Sequence, residues 1–137
     1  WGLKITMKKK MINNFLIIKY IGNDDRLALR INKEFFIHNF DDSKKKNEKL
    51  VLEILNFLKI HRVKLDKSFS VIVNQGPGSF SGIRTSLAIA KGLEISTNIQ
   101  IYGYKNTDLK VFDQENIEKL LDKKLIEKKL IKPIYLS

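Results

Sequence analysis

The sequence predicts an α/β fold, on three observations. Two apolar, aromatic-rich runs near the start, NNFLIIKYIG and RLALRINKEFFIHNF, are broken by GNDD and NK, the turn chemistry of a three-stranded antiparallel meander. The segment DDSKKKNEKLVLEILNFLKIHRV then changes to helical spacing, with Leu50, Val51, Ile54, Leu55 and Leu58 expected on one apolar face. Finally, FSVIVNQ is a short, continuously apolar run, as expected of a central strand buried on both faces. The resulting order β-β-β-α-β-α-β calls for helices that cross over between parallel strands.

The elements follow in turn. After FSVIVNQ a glycine-rich turn leads into a second helix through SLAIAKGL, and IQIYGYK is the next strand. From Gln114 to Lys132 the chain reads as a lysine-rich amphipathic helix built on Ile117, Leu120, Leu121 and Leu125. Ile126, Leu130 and Tyr135 are expected to add to its apolar side and anchor the end. The expected division is a leader over 1–11, one domain over 12–112, and a helix and tail over 113–137 that covers one surface of that domain.

At 137 residues the chain is long enough for one core of ordinary size. Hydrophobic residues at 43% and charged residues at 30% place it among globular proteins rather than disordered ones. It has no cysteine, which excludes disulfides, thiolate metal sites and a Cys nucleophile. No apolar run approaches the roughly 18 residues of a membrane span, so a cytoplasmic protein is expected. The net charge of +11 suggests nucleic acid, yet among 26 basic residues only Arg26, Arg30, Arg62 and Arg84 are arginines. Specific base and phosphate readers favour the bidentate Arg fork, so a solvated lysine surface is the expected reading.

The turn in VNQGPGSFSGIRTSLAIAKGL fits none of the common catalytic or phosphate loops. Gly82 is followed by Ile83 and Arg84, so the Lys of a Walker A loop is missing. Gly78 and Gly82 stand too far apart for the dinucleotide fingerprint. A nucleophile elbow would put Phe80 where the nucleophile belongs. What remains is mechanical: Pro77 fixes φ, Gly76 and Gly78 permit positive φ, and Ser79 is placed to cap the helix. The helix then shows two small-residue rows, Gly82–Ser86–Ala90 and Ser81–Thr85. Small rows let a second helix approach closely, whether a partner's helix or an element of the same chain.

These residues resemble a family. NQGPGSFSGIRTSLAIAKGL is similar to the G-x-G-P-G-S-F-[TS]-G-[LIV]-R signature of the TsaB, or YeaZ, family of bacterial tRNA threonylcarbamoyladenosine biosynthesis proteins. FLIIKYIGNDDRLAL lines up without a gap on that family's opening strand-turn-strand, and KPIYLS is similar to its closing P-x-Y-L-R. The likeness covers about Asn13 to Leu109 and the last few residues.

The resemblance implies an RNase H-like fold of the actin/Hsp70/sugar-kinase type, as a single truncated domain without most of the family's second domain. It implies a non-catalytic partner of TsaD, the paralogue that transfers the threonylcarbamoyl group to the adenosine beside the anticodon, working with the ATPase TsaE. On this reading Leu50, Ile54, Ser81, Gly82, Thr85, Ser86 and Ala90 form the helix-pairing interface, with a homodimer when TsaD is absent. tRNA is then met only through the complex, and neither metal nor cofactor is expected. Two departures from the family bear on this: its first-strand Asp falls on Lys19, and its first-helix His on Lys46. A cation in place of an acidic ligand removes an ordinary metal–nucleotide site there. Two other readings stay open: an anion- or nucleotide-binding turn at Gly76, Pro77, Gly78 and Ser79, and a stand-alone RNA-binding module. His38 and His61 are too isolated to suggest a site.

Overall fold

The computed structural model describes residues 12–40 and 47–128. Six strands form one mixed sheet in the order β3-β2-β1-β4-β5-β6: β1 Asn14–Lys19, β2 Arg26–Ile31, β3 Glu34–Asn39, β4 Phe69–Asn74, β5 Gln100–Tyr104 and β6 Ile126–Glu127. The first three are the expected antiparallel meander. β4 lies parallel between β1 and β5, pairing Leu16 with Val71 and Val71 with Ile101. Such pairing requires crossovers, which α1 (Asn47–Ile60) and α2 (Phe80–Thr97) supply.

Because strand side chains alternate between faces, consecutive apolar residues in β1 and β4 serve two cores. Leu16, Ile18, Val71, Val73 and Ile101 face the layer made by α1 and α2, through Leu50, Ile54, Phe57, Leu58 and Ala90. Phe15, Ile17, Ile72 and Tyr104 face the opposite way, against Leu109, Phe112 and the third helix, α3 (Gln114–Asp122), through Ile117 and Leu120. The result is a helix–sheet–helix layer structure, the RNase H-like fold that the family resemblance implies. A continuous apolar run is what a strand covered on both faces requires, and all six residues of β4 are buried.

Three expectations need correction. The helix expected over Gln114–Lys132 ends at Asp122, because Lys124 takes the left-handed conformation (φ 58°) and the chain turns into β6. Its apolar residues divide accordingly: Ile117 and Leu120 are buried, Leu121 and Ile126 are half-buried, and Leu125 is exposed. Val51 and Leu55 do not share the buried face of α1, which is Leu50, Ile54, Phe57 and Leu58. Leu130, Tyr135, Lys46 and the 1–11 leader lie outside the described residues.

Candidate docking surface

The glycine turn is a clasp between strand ends. Asn74 closes β4: its Oδ1 accepts from Gly76 N at 2.7 Å, and its Nδ2 donates to Tyr104 Oη at 3.1 Å and Asn106 Oδ1 at 2.9 Å. Asn106 N in turn donates to Gly76 O at 2.9 Å, so the ends of β4 and β5 are tied through the turn. Burial drives the Tyr104 phenol well above its ordinary range, against a smaller lowering from the Asn74 hydrogen bond, so it serves as a neutral partner. Gly76 has φ 95°, a conformation that glycine takes without strain.

The turn also seats against the β1–β2 connection. Ser79 N donates to Ile21 O at 2.7 Å, and Ser79 Oγ accepts from Gly82 N at 3.3 Å as the cap of α2. A side chain at Gly82 would stand 2.5 Å from Tyr20 O, and one at Gly78 would stand 2.6 Å from Ile21 Cβ. On the other side, the Asp25 carboxylate accepts from Ile21 N and Gly22 N at 2.8 and 3.0 Å. Lys19 Nζ reaches Asn23 O, Asp24 O and the Asp24 carboxylate, at 3.3, 2.9 and 3.5 Å. These bonds bear on the alternative of an anion site at Gly76, Pro77, Gly78 and Ser79. Gly76 and Ser79 use their amides inside the chain, and Pro77 has none. Lys19 is committed to its own turn and brings no charge to them.

The predicted interface residues divide by burial. Gly82, Ser86 and Ala90 are buried, as are Leu50 and Ile54. Gly82 packs on the Tyr20 carbonyl, Ser86 Oγ donates to Gly82 O at 2.9 Å, and Ala90, Leu50 and Ile54 belong to the core under the two helices. These five are buried within the domain's own packing. Of the predicted set, Ser81 is exposed and Thr85 half-buried. They begin a different small row, continued outward by Ala88, Gly92 and Ser96. A side chain at Gly92 would meet nothing within 4 Å.

Both helices also carry exposed apolar residues. Of nine large apolar side chains exposed among the described residues, six are on these two helices: Val51, Leu52, Leu55 and Ile60 on α1, Phe80 and Ile95 on α2. Leu52 is 67% and Ile95 85% exposed, without any core role. The available signal is that α1 carries apolar residues on two faces, only one of which a sheet can cover. On the far side of α1, His38 Nε2 lies 2.6 Å from Glu53 Oε1, and the His61 ring stacks on Phe36 at 3.9 Å. Both histidines thus join β3 to α1. Among the described residues no three His, Asp or Glu side chains gather in a metal-binding group, and no helix is long and apolar enough to cross a membrane.

No family profile matches the sequence, and no curated protein matches it. Solved structures do match. YeaZ from Pseudomonas aeruginosa superposes on 71% of this chain with a TM-score of 0.60 and 18% identity. A Pseudomonas aeruginosa protein described as uncharacterized, with similarity to peptidase YEAZ, gives the same TM-score, identity and coverage. The chain spans 45% of the first structure and 44% of the second. At this identity the likeness establishes the fold.

Proposed function

We propose that this chain is a TsaB-type subunit that acts by docking rather than catalysis, as the partner of TsaD in forming threonylcarbamoyladenosine in tRNA. The observation that carries the reading is the concentration of six of nine exposed large apolar side chains on α1 and α2. Exposed aliphatic and aromatic side chains gathered on two elements are suited to serve as the apolar anchors of a protein contact. Likeness of the fold to YeaZ and of the NQGPGSFSGIR segment to the TsaB signature supports this choice of partner. TsaE would be met through the assembled complex, tRNA only indirectly, and a second copy would take the face when TsaD is absent. The setting would be cytoplasmic.

Two features favour docking over ligand binding. The turn that could hold an anion is closed by Asn74, Ile21 O and its own proline. Positions Lys19 and Asn74, at the ends of adjacent parallel strands, carry no carboxylate and are engaged in internal hydrogen bonds. The test is co-purification with the TsaD of the same genome, comparing the native chain with Leu52→Glu and Leu55→Glu. Both side chains are exposed, so the variants should keep the native melting temperature and lose the complex. A variant that still binds TsaD as the native chain does would refute the assignment of the face.

A further inference from the structure

Phe80 and Arg84 stand one turn apart at the start of α2. Phe80 is 52% exposed, and the Arg84 guanidinium lies over its ring with Cζ 5.0 Å from the centroid. Arg84 makes no ion pair among the described residues, whereas Arg26 pairs with Asp24 and Arg30 with Glu118. The first turn of α2 contains no acid either, so nothing on the helix faces this cation. Contact with a ring face does not consume the in-plane N–H donors of a guanidinium. An arginine beside a half-exposed aromatic ring has the composition of a binding hot spot.

We infer that Arg84, oriented by Phe80, is the charged anchor of the docking face and receives a carboxylate from the docked protein. This rests on the reading of α1 and α2 as a partner surface and adds the chemistry the partner must present: an Asp or Glu opposite the N-terminal turn of α2. A carboxylate fits both the charge and the planar two-donor geometry of the fork. Leu52, Leu55 and Ile95 supply apolar area, which gives little choice of partner or register. A bidentate pair at one end supplies both, because a partner without the acid would leave Arg84 covered and uncompensated. Nucleic acid is the less suitable occupant, since the exposed apolar side chains Leu52, Leu55 and Ile95 offer its phosphates nothing.

The experiment measures TsaD binding by the full chain and by Arg84→Gln, Arg84→Lys and Phe80→Ala, at low and high salt. Arg84→Gln should weaken binding about tenfold or more, mainly through faster dissociation, and high salt should narrow that gap. Arg84→Lys keeps the charge but loses the fork, and should fall between Gln and the native chain. Phe80→Ala should lose affinity in proportion to how far stacking orients the fork. All three substitutions are on the surface, and unchanged melting temperatures would separate docking from folding. If the native chain binds TsaD and Arg84→Gln binds equally well, the anchor is wrong while the docking face stands. If the native chain fails to bind TsaD at all, both fall together.

Discussion

At the scale of single residues, glycine's two uses are separated along one helix. Gly82 is required because Tyr20 O lies where its Cβ would be, and a backbone carbonyl held in a strand-end turn cannot move aside cheaply. Gly82→Ala should therefore destabilise by about 1–3 kcal/mol, the penalty of overpacking exceeding the better helix propensity of alanine. Gly92 meets nothing, so Gly92→Ala should stabilise by about 0.5–1 kcal/mol. Denaturant titration of the two variants should give opposite signs. Equal shifts would mean that Gly82 is not seated on Tyr20. Another residue-level test concerns Asp113, the cap of α3. The Asn116 backbone N–H, and then its side chain, hold this carboxyl below the ordinary aspartate value. A depressed folded value means that the cap contributes fully above the ordinary value, near 3.9, and is lost as the pH falls through the lower folded one. Protection of the Asn116 amide, relative to its intrinsic exchange rate at each pH, should fall over that acid range in the native chain and much less in Asp113→Asn.

At the scale of elements, the sequence is informative wherever a local pattern has a single structural solution. The meander, the central position of FSVIVNQ and the cap at Ser79 each follow from period, apolar continuity or turn chemistry. The two rows on α2 have no such solution, since Gly82–Ser86–Ala90 and Ser81–Thr85 are both small and both at helical spacing. What decides between them is the approach of Tyr20 O to Gly82, a contact between residues far apart in the chain that spacing alone does not encode. β6 is illegible in the sequence because two residues, Ile126 and Glu127, carry no period at all. α3 is legible as a helix but its end is not, for lysine at positive φ gives no advance sign in a run of lysines. Its role is testable in its own right. Ile117 and Leu120 are buried against Phe15, Ile17 and Ile72, so each change to alanine should cost about 2–5 kcal/mol in urea unfolding. Losses below about 1 kcal/mol for both would show that α3 does not close the second core.

At the scale of the whole molecule, charge and function separate. The described residues carry thirteen Lys and four Arg against thirteen Asp and Glu, a net +4 of the chain's +11. The first eleven residues alone carry Lys4, Lys8, Lys9 and Lys10. On the fold, several cations are already matched: Lys19 and Arg26 with Asp24, Arg30 with Glu118, Lys91 with Glu94 and Lys119 with Glu115. With thirteen acids against seventeen cations on the described residues, the net charge there is small for following a phosphate backbone. The isolated protein should accordingly hold tRNA only weakly and without sequence preference, losing it between about 50 and 200 mM salt through counterion release. Removing residues 1–11 should lower the slope of log K against log salt by about three to four, since up to four phosphates would no longer be neutralised. The same deletion should leave TsaD binding unaltered, because the proposed docking face lies on α1 and α2. Filter binding across a salt series, beside the TsaD assay, measures both. Tight tRNA binding that survives about 200 mM salt without the first eleven residues would place an RNA site on the fold itself and reverse the order of partners argued from the exposed apolar helices.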